Sequence, residues 1–282
     1  MQIRTVGVLG CGLMGSGIAQ VSAQAGYRTV VREVSQEVLD KGLGRIRKFL
    51  SDGVERGKVT PEAREKTLAA VSGTVSFDDL KTCDIVIEAV IENLDEKKHV
   101  YAEVEAVVSD STIIVSNTSS LCITELAATT KRPDRFAGLH FFNPVPLMKL
   151  VEVVRALTTS EETFRTVWSF AESLGKEAIA APDQPGFIVN RLLVPYLLEA
   201  IRAVQNGLGT VEDIDKGMRL GCGYPMGPFT LLDYVGIDTT YYIANIMYDE
   251  FRDPAFAPPP LLKRMVLAGR LGRKSGQGFY TY

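Results

Sequence analysis

Near its start the chain reads VGVLGCGLMGSGIAQ, residues 6–20, with glycines at positions 10, 12 and 15. An apolar, partly β-branched run leads into these glycines, and a run with helical spacing (Met14, Ile18, Val21) leads out of them. A strand, a tight turn and a helix with the spacing G-x-G-x-x-G are typical of a dinucleotide-binding βαβ unit. The first glycine permits the bend, the second lets a pyrophosphate approach the backbone, and the third lets helix and strand pack closely.

The residue that ends the second predicted strand favours NAD as the dinucleotide. The apolar run at 27–31 is followed by Glu33, 18 residues after Gly15. A carboxylate at this distance accepts hydrogen bonds from the adenosine ribose and repels the 2′-phosphate of NADP. Two other interpretations stay open: Glu33 is a solvated strand end, or Arg32 beside it accommodates NADP. The predicted NAD contacts are Gly10, Cys11, Gly12, Leu13, Met14, Gly15 and Glu33.

The composition is that of an ordinary folded protein with room for two domains. The chain has 282 residues, 46% of them hydrophobic and 23% charged, and a net charge of −3, which gives no global attraction to nucleic acid. No apolar stretch approaches the ~20 residues of a membrane span, and the N-terminus enters a strand directly, so we expect no signal peptide and a cytoplasmic protein. The cysteines at 11, 83, 122 and 222 lack CxxC spacing, which predicts reduced thiols and no metal site.

Strand and helix patterns alternate from Val6 to about Ala181. Helices are predicted at 38–53, 95–108 and 161–174, and further strands at 74–77, 84–90, 112–117, 136–142, 149–154 and 177–181. Continuous apolar strands separated by helices predict a parallel sheet covered on both faces. We therefore expect an α/β Rossmann-like doubly wound sheet domain over residues 1–183.

The pattern changes at APDQPGF, residues 181–187, where two prolines and a glycine interrupt it. Helical spacing follows at 188–206, 211–220, 229–251 with a break at Gly236, and 261–268. We expect an all-α C-terminal domain over residues 187–282 that binds substrate and forms a dimer. Its apolar stretches at 192–198 and 229–234 exceed what one small helical layer needs to cover itself, which favours an isologous two-fold contact.

Only two histidines are available as proton acceptors for NAD-linked alcohol chemistry. His99 lies among charged residues on a predicted helix, which indicates a solvated surface position. His140 ends a predicted strand in GLHFFNPVP, at the edge where ligands of open α/β sheets bind. By its neighbours alone, two phenylalanines, His140 is as consistent with a core residue as with a catalytic one.

Seven stretches, in this order, resemble the short-chain-length 3-hydroxyacyl-CoA dehydrogenase family, and among its members the stand-alone bacterial enzymes most. They are VLGCGLMGSGIAQ (8–20), IEAVIENLDEKK (87–98), SNTSSL (116–121), GLHFFNPVPLMKLVEVV (138–154), PGFIVNRLL (185–193), GYPMGPFTLLDYVG (223–236) and GRKSGQGFY (272–280). The resemblance covers essentially the whole chain, and several of these motifs are more specific than the glycine loop.

The resemblance implies a catalytic set of four residues. His140 matches the family's base, and Glu152 matches the carboxylate that orients and polarises its imidazole. Ser119 matches the serine that contacts substrate and nicotinamide, although Ser120 is adjacent. Asn190 matches an asparagine that binds the substrate from the helical domain; alternatively it caps or bonds within its own helix.

The resemblance also implies further cofactor and coenzyme A contacts. Glu92, Lys97, Asn143 and Lys274 match positions that line the nicotinamide and ribose region; without the resemblance, Lys97 would be an ordinary solvated lysine. Glu33 stands where the family usually has aspartate. Residues 41–58 carry six basic and two acidic side chains, which suits the phosphates of coenzyme A, although a solvated helix face is the alternative. Arg56 matches a coenzyme A contact, Lys58 lies beside it as a second candidate, and Phe49 stands where a contacting serine can occur.

Together these features predict a homodimeric oxidoreductase of fatty acid or butanoate metabolism. It would interconvert an (S)-3-hydroxyacyl-CoA, such as 3-hydroxybutyryl-CoA, and the 3-ketoacyl-CoA, such as acetoacetyl-CoA, with NAD. A relative acting on a free hydroxy or sugar acid is one alternative, because similar folds share this hydride chemistry. A non-catalytic NAD-binding sensor is another.

Overall fold

The chain, in a computed structural model that describes residues 2–282, divides into two compact units. The first extends to Asp183, and the second runs from Gln184 to Tyr282. The N-terminal unit is a sheet with helices, and the C-terminal unit is helical, so the predicted fold class is confirmed.

The described part of the N-terminal unit contains eight strands and six α-helices. The strands are β1 (Thr5–Leu9), β2 (Arg28–Arg32), β3 (Val71–Thr74), β4 (Ile85–Glu88), β5 (Ile113–Ser116), β6 (Phe136–Phe141), β7 (Leu150–Val154) and β8 (Glu177–Ala181). The helices are α1 (Leu13–Gln24), α2 (Gln36–Glu55), α3 (Pro61–Ala69), α4 (Leu94–Val107), α5 (Ile123–Ala127) and α6 (Glu161–Ser173).

The strands form one sheet in the order β3-β2-β1-β4-β5-β6-β7-β8. From β3 to β6 all neighbours are parallel, and the order reverses direction around β1, between β2 and β4. In an open α/β sheet the crevice at the carboxyl ends of the strands beside such a reversal is where ligands bind. The glycine loop, which follows β1, lies at this point.

The last two strands correct the expectation of a wholly parallel sheet. β7 runs antiparallel to β6, and β8 runs parallel to β7. Only residues 142–149 connect β6 to β7. A parallel partner needs a crossover of a dozen or more residues, whereas a short connection returns the chain antiparallel.

Three shorter elements also differ from the predictions. β3 lies at Val71–Thr74 rather than 74–77, and the helices α3 and α5 were not predicted. α3 is polar on nearly every face and buries only Thr67, so its sequence lacks an apolar stripe; the hydroxyl of Thr60 caps it and Pro61 occupies its first turn. α5 has five residues, too few to show a helical period.

The core of the N-terminal unit lies between the sheet and its helices. The apolar side chains of β1, β4 and β5 are fully or nearly fully buried. On the charged helix α2 an apolar stripe (Leu39, Ile46, Leu50) faces this core. On α1 a side chain at Gly17 would meet Val145 at 2.9 Å, so the 142–149 loop packs directly on the helix that follows the glycine loop.

The described C-terminal unit contains five α-helices, which are α7 (Val189–Gln205), α8 (Val211–Gly221), α9 (Pro228–Val235), α10 (Ile237–Phe251) and α11 (Pro260–Leu267). Gly236, with φ +106°, separates α9 from α10 at the predicted break. The buried carboxylate of Asp233 accepts the backbone N–H groups of Phe279 and Tyr280 at 2.9 Å, which fastens the last residues to α9.

The cysteines differ in accessibility and, among residues 2–282, form no disulfide. Cys11 and Cys83 are buried, Cys122 is half-buried and Cys222 is exposed. Within the same residues no helix is both long enough and apolar enough to cross a bilayer. Within the described residues, no group of three or more histidine, cysteine and acidic side chains is arranged so that it could hold a metal ion.

Candidate active site

The antiparallel pairing of β6 and β7 brings His140 and Glu152 together. The two residues are direct partners in the strand register, so their side chains lie on the same face of the sheet. The Nδ1 atom of His140 lies 2.7 Å from Oε2 of Glu152. Because an ionised carboxylate only accepts hydrogen bonds, Nδ1 is the donor and, in the neutral ring, Nε2 carries the lone pair.

This pair is sheltered from solvent. His140 is 5% exposed and Glu152 is fully buried. The ring of Phe142 lies 4.6 Å from the imidazole, centroid to centroid. In such surroundings a proton gained by the imidazole is stabilised by the carboxylate more strongly than it would be in water. The geometry is that of a base oriented by an acid.

The turn after β5 presents Ser119. One carboxylate oxygen of Glu92 accepts the hydroxyl of Thr118, the N–H of Ser119 at 3.1 Å and the hydroxyl of Ser120 at 3.1 Å. Ser120 is therefore buried with its hydroxyl engaged, whereas the hydroxyl of Ser119 has no partner among the described side chains. Of the two adjacent serines, Ser119 is the one free to contact a ligand.

A hydrogen bond ties this turn to the strand of the histidine. The side-chain oxygen of Asn117 accepts the N–H of Phe141 at 2.9 Å. It joins the end of β5 to the end of β6, one residue beyond His140. Ser119 and His140 thus lie on segments that are fixed to each other.

Lys97 is buried rather than solvated. It is 1% exposed, and its ammonium lies 2.6 Å from Oε1 of Glu88 and 3.1 Å from Oε2 of Glu92. Burial alone raises the pKa of Glu92, but Lys97 and the hydrogen bonds from Thr118 and Ser119 outweigh it and lower that pKa below its usual value. Sequence reasoning identified Glu92 and Lys97 but missed Glu88, the charged residue that ends the apolar run IVIE of β4.

The glycine loop has the shape that a dinucleotide pyrophosphate requires. Gly10 has φ +89°, and a side chain there would meet the carbonyl of Ala89. A side chain at Gly12 would meet no atom within 4 Å, so this glycine faces open space. α1 begins at the next residue with no side-chain cap and no acidic residue in its first turn, which leaves its N–H donors available to an anion.

The NAD contacts predicted in the glycine loop differ in whether their side chains are accessible. Cys11 is buried against Gly42 of α2, and burial is the main cause that raises the pKa of its thiol to about 11. Cys11 therefore offers only its backbone. Leu13 is exposed and Met14 is half-buried, and both lie in the first turn of α1.

Glu33 supports the loop from below. Its two oxygens accept the N–H groups of Cys11 at 2.7 Å and Val34 at 2.8 Å, and it is 8% exposed. The interpretation as a solvated strand end is therefore wrong. Arg32 stacks over the ring of Phe77 at 3.8 Å, and desolvation lowers the pKa of its guanidinium.

The basic segment 41–58 is partly neutralised by its own neighbours. Lys41 pairs with Glu37 and Lys48 pairs with Asp52. Arg45 donates to the carbonyl of Cys11 at 3.1 Å. The three other basic side chains are exposed and form no ion pair within the described chain; they are Arg47, Arg56 and Lys58. The predicted coenzyme A contacts Arg56 and Lys58 are thus among the available cations.

Three predicted contacts remain. Asn143 is exposed in the 142–149 loop, directly after β6. Asn190 lies in the first turn of α7, in the C-terminal unit. Lys274, also in the C-terminal unit, pairs with Asp238 at 2.6 Å. Their predicted roles stay predictions.

Comparison with known proteins gives concordant results along the whole chain. The 3-hydroxyacyl-CoA dehydrogenase NAD binding domain profile matches residues 5–184, and the C-terminal domain profile of the same family matches residues 186–282. A 3-hydroxybutyryl-CoA dehydrogenase of Mycobacterium tuberculosis is 50% identical over 99% of both chains. The crystal structure of FadB2 of M. tuberculosis superimposes with a TM-score of 0.98 at 49% identity, and the alignment covers 100% of both chains. The crystal structure of (S)-3-hydroxybutyryl-CoA dehydrogenase PaaH1 of Ralstonia eutropha superimposes with a TM-score of 0.96 at 45% identity, over 100% of this chain and 99% of that one.

Proposed function

The chain belongs to the 3-hydroxyacyl-CoA dehydrogenase family of NAD-dependent oxidoreductases, and from this premise we propose that its substrates are (S)-3-hydroxybutyryl-CoA and acetoacetyl-CoA. The observation that carries the proposal is the His140–Glu152 pair, a base oriented by a buried carboxylate. The names of the relatives support the short acyl chain.

In the oxidation direction, Nε2 of neutral His140 accepts the proton of the 3-hydroxyl group as the hydride leaves C3. Bound NAD supplies the hydride acceptor, and the glycine loop and the start of α1 would hold its pyrophosphate. Glu152 keeps the proton-accepting tautomer in place and stabilises the imidazolium that forms. In the reduction direction the imidazolium returns the proton to the oxygen at C3.

Ser119 contributes a hydrogen-bond donor to the oxygen that gains carbonyl character, and Asn190 keeps its predicted role as a substrate contact. A hydroxyl and an amide N–H suit an oxygen whose charge changes during hydride transfer. The bond from the N–H of Ser119 to Glu92 supports the serine assignment, because it fixes the backbone from which the hydroxyl projects. Arg56 and Lys58 serve the phosphates of coenzyme A, since both are exposed cations without an ion-pair partner in residues 2–282.

The proposal includes a homodimer assembled through the C-terminal unit and a cytoplasmic location. Leu192, in the apolar stretch from which the dimer was predicted, is 72% exposed, and Tyr234 and Val235 at the end of α9 are more than one third exposed. Most other large apolar side chains of the two predicted stretches, such as Leu198 and Phe229, are buried within the unit itself, so the proposed contact depends on the exposed ones. The location rests on the scattered, unpaired cysteine positions.

Initial rates with acetoacetyl-CoA and NADH, followed by the loss of NADH absorbance, test this function. Free acetoacetate serves as the comparison, because a hydroxy-acid or sugar-acid enzyme needs no thioester. We expect turnover with the thioester and almost none with the free acid. Comparable kcat/KM for the free acid would contradict the assignment. Tight NADH binding without turnover of either compound would favour the sensor alternative.

A further inference from the structure

A second carboxylate near the cofactor region has no direct role in the chemistry above. Glu88 ends β4 and is fully buried. Its Oε1 accepts the Lys97 ammonium at 2.6 Å and the N–H of Val90 at 2.9 Å, and its Oε2 accepts the hydroxyls of Tyr101 at 2.8 Å and Ser116 at 2.6 Å. An ionised carboxylate in the interior is costly unless it is paired and hydrogen-bonded, and four donors meet that requirement here.

The two oxygens of Glu88 face donors of different kinds. The ammonium and the backbone N–H on the Oε1 side can only donate, whereas the two hydroxyls on the Oε2 side can donate or accept. A glutamine can therefore take the place of Glu88 with its carbonyl oxygen toward Lys97 and its amide nitrogen toward the hydroxyls. The Glu88→Gln substitution removes the charge and keeps a hydrogen-bond contact to each neighbour, with the direction of the two bonds to the hydroxyls reversed.

Lys97 connects Glu88 to the Ser119 turn. Its ammonium also lies 3.1 Å from Glu92, and the other oxygen of Glu92 accepts the N–H of Ser119. The three charges of Glu88, Lys97 and Glu92 sum to −1. Because Lys97 is shared between two carboxylates, it neutralises Glu92 only in part, while Glu92 also accepts the N–H of Ser119.

We propose that Glu88 is a positioning residue that holds the Lys97 ammonium between two carboxylates and so maintains a net negative charge beside the nicotinamide. The proposal rests on the proposed assignment of Glu92 and Lys97 to the cofactor. The nicotinamide ring is a cation in NAD⁺ and neutral in NADH. A net negative charge therefore favours NAD⁺ over NADH, and loss of the Glu88 charge, which leaves Lys97 to neutralise Glu92 alone, weakens that preference.

The test is the Kd of the full-length protein for NAD⁺ and for NADH, measured by calorimetry without any acyl-CoA. We expect Glu88→Gln to raise the Kd for NAD⁺ by about tenfold and the Kd for NADH by a smaller factor, because only the cationic nicotinamide loses a favourable charge interaction. Tyr101→Phe is the matched control, because it removes one bond from Glu88 on the side away from Lys97. It should lower Tm while changing either Kd by less than about twofold, the lower limit for one hydrogen bond.

A second variant covers the case in which Glu88→Gln does not fold. Glu88→Asp keeps the charge but withdraws the carboxylate by one methylene, so it should raise both Kd values by similar factors. An unchanged ratio of the two Kd values in Glu88→Gln, unchanged Kd values in Glu88→Asp, or a Tyr101→Phe protein that shifts the ratio as much as Glu88→Gln would each overturn the proposal. Wild-type protein that binds both nucleotides but leaves acetoacetyl-CoA unreduced would contradict the proposed function alone.

Discussion

At the scale of single residues, the protonation pattern of His140 and the burial of the Glu152 carboxylate depend on the hydrogen bond between the two side chains. The carboxylate decides which ring nitrogen holds the proton, and the imidazole gives the buried carboxylate its donor. Residues that act as one unit lose their effect together, so the penalties of removing each do not multiply.

We expect His140→Gln to lower kcat by about 10²–10⁴-fold, the usual range for general base catalysis. Glu152→Gln should cost somewhat less, and the double variant should be little worse than His140→Gln alone. Binding of NADH should persist in all three, because neither residue is assigned to the dinucleotide. Steady-state rates with acetoacetyl-CoA and calorimetric NADH titrations measure both quantities.

The exposed histidine supplies the control for this series. His99 lies on the outer face of α4, so His99→Gln should retain wild-type rates. Penalties that multiply, or a His140→Gln enzyme with a kcat close to that of the wild type, would show that the proton leaves by another route.

We expect Glu33 to set the preference for NADH over NADPH. Each of its two carboxylate oxygens accepts one backbone N–H group. Each oxygen therefore keeps a further lone pair for a ribose hydroxyl. Its negative charge opposes the 2′-phosphate of NADPH. The kcat/KM for NADH should therefore exceed that for NADPH in parallel assays. Equal values would direct attention to Arg32, and an Arg32→Ala variant that loses NADPH activity would identify it as the phosphate contact.

The lowered pKa of Glu92 makes part of the stability depend on pH. A carboxyl group whose folded pKa lies below its unfolded value of about 4.3 stabilises the protein fully above that value and loses the effect as the pH falls through the folded pKa. The difference in urea midpoint between wild type and Glu92→Gln should thus be largest near neutral pH and shrink in acid. If the difference in urea midpoint stays constant down to the lowest pH at which the protein is folded, the ionised carboxylate of Glu92 does not stabilise it.

At the scale of secondary-structure elements, the β6–β7 hairpin carries the dyad and its loop is anchored from β8. Lys176, directly before β8, is buried, and its ammonium donates to the carbonyls of Val145 at 2.6 Å and Met148 at 2.8 Å. Val145 in turn packs on Gly17 of α1. The loop between β6 and β7 is therefore fixed both to the sheet edge and to α1.

Removal of this anchor should loosen the loop. Lys176→Met leaves two carbonyls without their charged donor and should destabilise the protein by about 2–4 kcal/mol. The exposed neighbour Lys149 gives the control, since Lys149→Met changes a surface side chain and should shift stability by less than about 0.5 kcal/mol. Urea unfolding measures both. Equal stabilities for the two variants would show that the buried ammonium does not hold the loop.

The elements also show what the sequence can and cannot predict. The glycine loop, the alternation of strands and helices and the break at Gly236 were readable, because they depend on local spacing. The antiparallel direction of β7 was not predicted, because an apolar run has the same period in a parallel and in an antiparallel strand. The short connection at 142–149 was the sequence feature that indicates an antiparallel return. The burial of Lys97 was missed because its partner Glu88 is nine residues away and meets it only when α4 packs on β4.

At the scale of the whole molecule, the exposed apolar side chains of the C-terminal unit predict association. The protein should be a dimer by light scattering at micromolar concentration. Leu192→Asp should shift the equilibrium toward monomer, because a charge replaces an exposed leucine that a partner would cover. Leu157→Asp is the control, because Leu157 is exposed in the N-terminal unit. A wild-type monomer, or equal dissociation by both variants, would contradict the predicted interface.

The graded burial of the four cysteines makes the molecule convenient for spectroscopy. Thiolates rather than thiols react with maleimides, and burial raises the pKa of Cys11 to about 11 and of Cys83 to about 12. Burial also raises the pKa of the half-buried Cys122. Cys222, exposed at the end of α8, is thus a native attachment point for a fluorophore on the helical unit. A dye placed there reports on that unit while the thiol beneath the glycine loop stays untouched.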